Sequence, residues 1–66
     1  MKISINGKEC DYGGAPVLGE LLRFFGIDPA RVAVERNGEI VSRNALESRP
    51  VEAGDSLEII RFVGGG

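Results

Sequence analysis

The stretch Lys2-Ile3-Ser4-Ile5-Asn6-Gly7-Lys8-Glu9-Cys10-Asp11-Tyr12 reads as two strands and the turn that joins them. Ile3 and Ile5 alternate with polar neighbours, the period-two pattern of a half-buried strand. Asn6-Gly7 is the strongest short hairpin signal, because a two-residue type I′ turn needs positive φ at both central positions. Lys8 to Tyr12 is then the returning strand, and Gly13-Gly14 ends it.

Downstream the period changes. Val17, Leu18, Leu21, Leu22 and Phe25 recur at helical spacing and form one apolar stripe. Pro16 suits the first turn of that helix, where its missing N–H costs nothing, and Gly26 suits its end. Gly19 weakens the helix by ~1 kcal/mol relative to Ala; a close helix-to-sheet contact would account for a residue that small. Arg31 to Arg36 alternates again, with Val32 and Val34 on one side and Ala33 and Glu35 on the other. Asn37-Gly38 repeats the turn signal, and Glu39-Ile40-Val41 is a short strand. Asn44 is placed to cap one helical turn around Ala45-Leu46-Glu47. Glu52 to Asp55 is a turn, and Ser56 to Phe62 is the last strand. One helix with one stripe must lie across one face of a sheet. The expected fold is α+β: a β-grasp domain with a mixed sheet of four to five strands and one main helix packed on one face.

Composition narrows the function. Sixty-six residues make a single domain, with a stability margin of about 3–5 kcal/mol. One cysteine excludes an internal disulfide, and the absence of histidine argues against a zinc site. No metal and no bound cofactor are expected. The net charge is −2 and the basic residues are scattered, which argues against a nucleic-acid surface. No apolar run approaches a membrane span, and Met1 to Gly7 lacks a signal-peptide core. The expected location is cytoplasmic.

The last strand carries two messages. Leu57 and Ile59 share one parity, Ile60 and Phe62 the other. If the first pair faces the helix, the second faces away, with Ala33 near it. A chain this short cannot cover both faces of its sheet, so clustered apolar groups there point to a docking surface. Arg61 and Arg43 are candidates to meet partner acids, although unremarkable surface arginines are commoner. The strand is followed by Val63-Gly64-Gly65-Gly66. Glycine packs nothing and loses the most freedom on ordering, so folding gives no reason for the run. The chain is expected to divide into a folded body, residues 1–62, and a flexible tail, residues 63–66. Three residues reach roughly 10 Å when extended, enough to carry the Gly66 carboxylate into another protein's active site. A frayed end has the same look.

Together these features resemble the small sulfur carrier proteins of thiamine biosynthesis, which have the ubiquitin-like β-grasp fold. The likeness runs through Ile5-Asn6-Gly7, Leu21-Leu22, Val32 to Val41, Arg43, Gly54-Asp55 and Leu57 to Gly66. The terminal segment is its specific part. Arg61-Phe62-Val63 favours this branch over the related small subunits of molybdopterin synthase, which usually carry prolines before the final glycines. The resemblance implies a protein co-substrate rather than an enzyme, with no catalytic residue of its own. An adenylating partner would use ATP to activate Gly66. A sulfurtransferase or cysteine desulfurase would supply sulfur, and a thiazole synthase would receive it from the resulting thiocarboxylate. Val63, Gly64 and Gly65 would thread partner active sites; Ile60, Phe62, Ala33 and Arg61 would form the docking surface. A molybdopterin-synthase-type carrier, a ubiquitin-like modifier of lysines and a non-covalent docking module remain as alternatives. Cys10 is expected to be a small, partly buried strand residue.

Overall fold

The computed structural model describes residues 1–62. The tail read at Val63, Gly64, Gly65 and Gly66 lies outside the described residues. Strands β1 (Lys2–Ile5) and β2 (Lys8–Asp11) form the expected antiparallel hairpin. Its turn has φ of 51° at Asn6 and 82° at Gly7. Helix α1 (Leu18–Phe24) follows, then β3 (Val32–Arg36), β4 (Glu39–Ile40) and β5 (Ser56–Arg61). Short 3-10 turns at Pro29–Arg31 and Arg43–Ala45 lie in the connections. Asn37 and Gly38 repeat the turn geometry, at 51° and 86°.

The sheet has five strands in the order β2-β1-β5-β3-β4. The first and last strands in sequence therefore meet inside the sheet, where β1 and β5 run parallel. Every other pairing is antiparallel. A parallel pair needs a long crossover, and the segment between β1 and β5 supplies it. This is the β-grasp architecture, and the sheet is mixed.

Leu18, Leu21 and Leu22 of α1 are fully buried against Ile3, Val32, Val34, Leu57 and Ile59. Those sheet residues share one face through the alternation of the pleat. Tyr12 closes the core beyond the end of β2: it is buried, its hydroxyl donates to the Ala15 carbonyl, and its ring meets Phe24 edge-on at 5.0 Å.

Three local expectations are corrected. Pro16 is not in the first helical turn. The chain there pairs with the 49–51 segment instead: Leu18 N–H donates to the Arg49 carbonyl at 2.8 Å, and Val51 N–H to the Pro16 carbonyl at 3.0 Å. That cross-link holds the start of α1, whose N-cap Val17 has no side-chain acceptor to offer. Asn44 caps nothing, because it sits inside the 3-10 turn whose N-cap is Ser42. Gly19 does mark a close approach, but to the connection rather than the sheet: a Cβ there would lie 2.9 Å from the Glu47 Cα. Arg23 seals the same contact, donating to Glu47 Oε2 at 2.6 Å. Among the described residues no helix is long and apolar enough to cross a membrane.

Candidate functional site

The site is built on β5, the strand that leads toward the tail. It is the most enclosed strand of the sheet, flanked by β1 and β3. Its register with β3 runs from Val32 opposite Arg61 to Arg36 opposite Leu57. Past the last β1 pair, Asn6 substitutes for backbone: its Oδ1 accepts from Ile59 N–H at 2.7 Å and its Nδ2 donates to the Ile59 carbonyl at 3.3 Å. Asn37 does the same at the strand's start, where its Oδ1 accepts from Ser56 N–H at 2.9 Å.

Just before β5 lies Asp55, a buried acidic residue at 6% exposure. Its carboxylate accepts from Arg36 Nε at 2.7 Å, from Glu52 N–H at 2.8 Å and from Asn37 Nδ2 at 3.0 Å. Burial pushes the Asp55 carboxyl up, but the hydrogen bonds from Arg36, Glu52 N–H and Asn37, together with the Arg36 charge, outweigh it. Its pKa lies below the usual carboxylate range. Neither this cluster nor the Asn6 bridge was read from the sequence; both asparagines were read as turn formers alone.

The residues expected to dock partners fall on different sides. Ala33 and Ile60 are directly opposite one another, on the face away from α1. Ile60 is 53% exposed, whereas Ile59 beside it is buried. Phe62 lies one residue beyond β5, 59% exposed, with its N–H donating to the Arg31 carbonyl at 3.1 Å. Its ring lies under the Arg43 guanidinium, 5.6 Å from the ring centre, and Arg43 Nη2 donates to the Ala30 carbonyl at 3.1 Å. Arg43 thus braces the chain where β5 ends. Arg61 shares the parity of Leu57 and Ile59, opposite Val32, so it belongs to the helix side of the sheet and not with Ile60. Ile40 was not singled out in the sequence. It is 78% exposed and, opposite Glu35, stands on the same face as Ile60.

This division predicts unequal costs of truncation. Leu57→Ala destabilises by about 3 kcal/mol, since Leu57 is fully buried. Ile60→Ala changes stability by under ~1 kcal/mol. Thermal melts of the two variants side by side measure the difference; equal losses would mean that Ile60 is a core residue.

The described residues offer little chemistry of their own. Cys10 is partly buried beside the core, opposite Ile3, and its thiol lies 3.4 Å from the Lys8 carbonyl. No cluster of three or more His, Cys, Asp or Glu suited to a metal ion occurs among them. Among the described residues, a shallow cavity of 240 Å³ is lined by Arg36, Glu39, Ile40, Val41 and Arg49, and another of 180 Å³ lies beside Arg43 and Pro29. Neither lies along β5.

Solved structures share this shape. A crystal structure of the thiamine biosynthesis protein ThiS from Geobacter metallireducens superposes with a TM-score of 0.80 at 36% identity, covering 100% of both chains. A solution structure of a thiamine biosynthesis protein from the same organism gives 0.78 at 38% identity, covering 100% of this chain and 88% of that one. The thiazole synthases of Paramagnetospirillum magneticum and Magnetococcus marinus are 44% and 38% identical over all 66 residues. This chain spans 20% of the length of each of those two proteins. The ThiS family model matches residues 3–66, from the first strand through the final glycine. The chain belongs to the ThiS family.

Proposed function

We propose that this chain is a sulfur carrier of thiamine biosynthesis whose reactive group is the carboxylate of Gly66. One observation carries the reading: a ThiS-family body joined without a break to Val63-Gly64-Gly65-Gly66. A Gly66 oxygen attacks the α-phosphorus of ATP in an adenylating partner, and pyrophosphate leaves. The product is an acyl-adenylate, a mixed anhydride with AMP as leaving group. A donor sulfur then attacks the carbonyl carbon and AMP departs. With a persulfide donor, a thiol reduces the resulting acyl disulfide and frees the thiocarboxylate. The carrier needs only its end group for this, and the body serves as a handle.

The recipient in this reading is a thiazole synthase. Support comes from the two relatives named thiazole synthase, in which a segment like this chain occurs within a longer protein. A sulfurtransferase or cysteine desulfurase is the matching donor. The cytoplasm is the expected location.

Intact-mass measurement after incubation with ATP, a sulfur source and the adenylating enzyme tests the proposal. The expected product is the free protein heavier by the difference between one sulfur and one oxygen, with the change on Gly66. Larger conjugates carrying this chain on lysines would instead identify a modifier. An unchanged mass, in a reaction that supports transfer by an established carrier, overturns the reading.

A further inference from the structure

We propose that the helix-free face of the sheet recognises an arginine of its protein partner, through the facing carboxylates of Glu35 and Glu58 with apolar ground beside them. The inference rests on the carrier reading in taking that partner to be the adenylating enzyme. Register sets Glu35 directly opposite Glu58, and Ile40 opposite Glu35 on its other side. The three make one row across β5, β3 and β4. Ala33 and Ile60 make the next row.

Like charges directly opposed on a sheet work against the strand pairing. The fold compensates the other carboxylates of this face: Lys2 reaches Asp11 at 3.5 Å and Glu9 at 4.0 Å. Across the described residues, only Glu35, Glu39 and Glu58 among the acidic side chains reach no cation within 4.0 Å. Two of those three face each other at the middle of an uncovered sheet. Folding alone gains nothing from that arrangement. A guanidinium laid between the two carboxylates removes the repulsion, and its planar fork suits two acceptors at once. Its weakly hydrated faces also tolerate apolar neighbours. Ile60 and Ile40 supply them, exposed at 53% and 78%. Apolar contact would give the complex its buried area, and the acid pair its orientation and rate of encounter.

Binding of the 66-residue protein to the adenylating enzyme, without ATP, at low and high ionic strength tests this. Glu35→Gln/Glu58→Gln keeps the shape and removes both charges. It should weaken binding roughly tenfold at low salt and flatten the salt dependence, while melting no lower than the wild type. Glu9→Gln/Asp11→Gln removes the same net charge from the same face and should stay within about twofold of the wild type. The proposal is overturned if the Glu35/Glu58 variant binds like the wild type, or if both double variants weaken binding equally. Pyrophosphate exchange, run in parallel, separates the two readings. Selective loss of binding without exchange in the wild type supports the acid pair and defeats the carrier. Exchange with unaltered binding of the Glu35/Glu58 variant does the reverse. A wild type that neither binds nor exchanges overturns both.

Discussion

Gly65→Val leaves the melting temperature of the protein unchanged and lowers ATP–pyrophosphate exchange by at least ~100-fold, the scale of loss that a misplaced reacting group produces. The reasoning starts from the intermediate. An acyl-adenylate is hydrolysed readily, so the partner must surround it and exclude water. A close-fitting channel admits backbone and little else. A β-branched side chain one residue before the reacting carbon adds bulk and restricts the backbone. Glycine also accepts whatever φ and ψ each of several partner sites imposes. The melt matters because the last strand among the described residues ends at Arg61, four positions before the substitution. A variant that loses exchange and stability together would point to a different cause. A variant that exchanges at the normal rate would remove the case for a threaded tail.

The parts of the fold that could be read from the sequence are those governed by local chemistry. Asn6-Gly7 and Asn37-Gly38 fixed both hairpins, since few residue pairs accept positive φ twice in succession. Alternation placed Val32, Val34, Leu57 and Ile59 on the helix side of the sheet, and the apolar stripe placed Leu18, Leu21 and Leu22 opposite them. What could not be read depends on residues distant in sequence. Pro16 looked like a helix starter because nothing local reveals the pairing with Val51. Gly19 announced a close approach but not the neighbour, and Glu47 lies far along the chain. Arg61 is a different case: it was expected on the docking surface with Ile60, although the local alternation of the strand already sets it with Leu57 and Ile59. The site shows the same limit. Ile60 was legible from parity. The facing of Glu35 and Glu58 depends on the register of β5 against β3, which neither strand's sequence contains alone.

Asp55 is the strongest instance, and the second large effect is expected there. Asp55→Ala destabilises the domain by about 3 kcal/mol, the scale for removing one partner of a buried, hydrogen-bonded ion pair. Against a margin of about 3–5 kcal/mol, a sizeable fraction of the protein is then unfolded at neutral pH. Three donors lose their acceptor at once: Arg36 Nε, Glu52 N–H and Asn37 Nδ2. Arg36 retains Glu52 at 3.2 Å, but that carboxylate is largely exposed and the pair correspondingly weak. Acid should act in the same direction. The folded-state pKa of Asp55 is lowered relative to an unfolded value of about 3.9. Its contribution is therefore fully present above the unfolded pKa and drains away as pH falls through the folded one. Denaturant titrations at a series of pH values measure both effects. The wild type should lose stability below about pH 4, and Asp55→Asn, which keeps the shape without the titrating charge, should show a shallower acid limb from a lower starting point. Because Asp55 ties the turn before β5 to Arg36 and Asn37 at the far end of β3, its loss should loosen the start of β5 before its end. Hydrogen exchange resolves that order: Ser56 N–H, held by Asn37, should gain solvent access in Asp55→Asn ahead of Ile59 N–H, which Asn6 holds independently. Simultaneous opening of the two amides would mean that β5 detaches as one unit and that the Asp55 cluster does not secure its start separately.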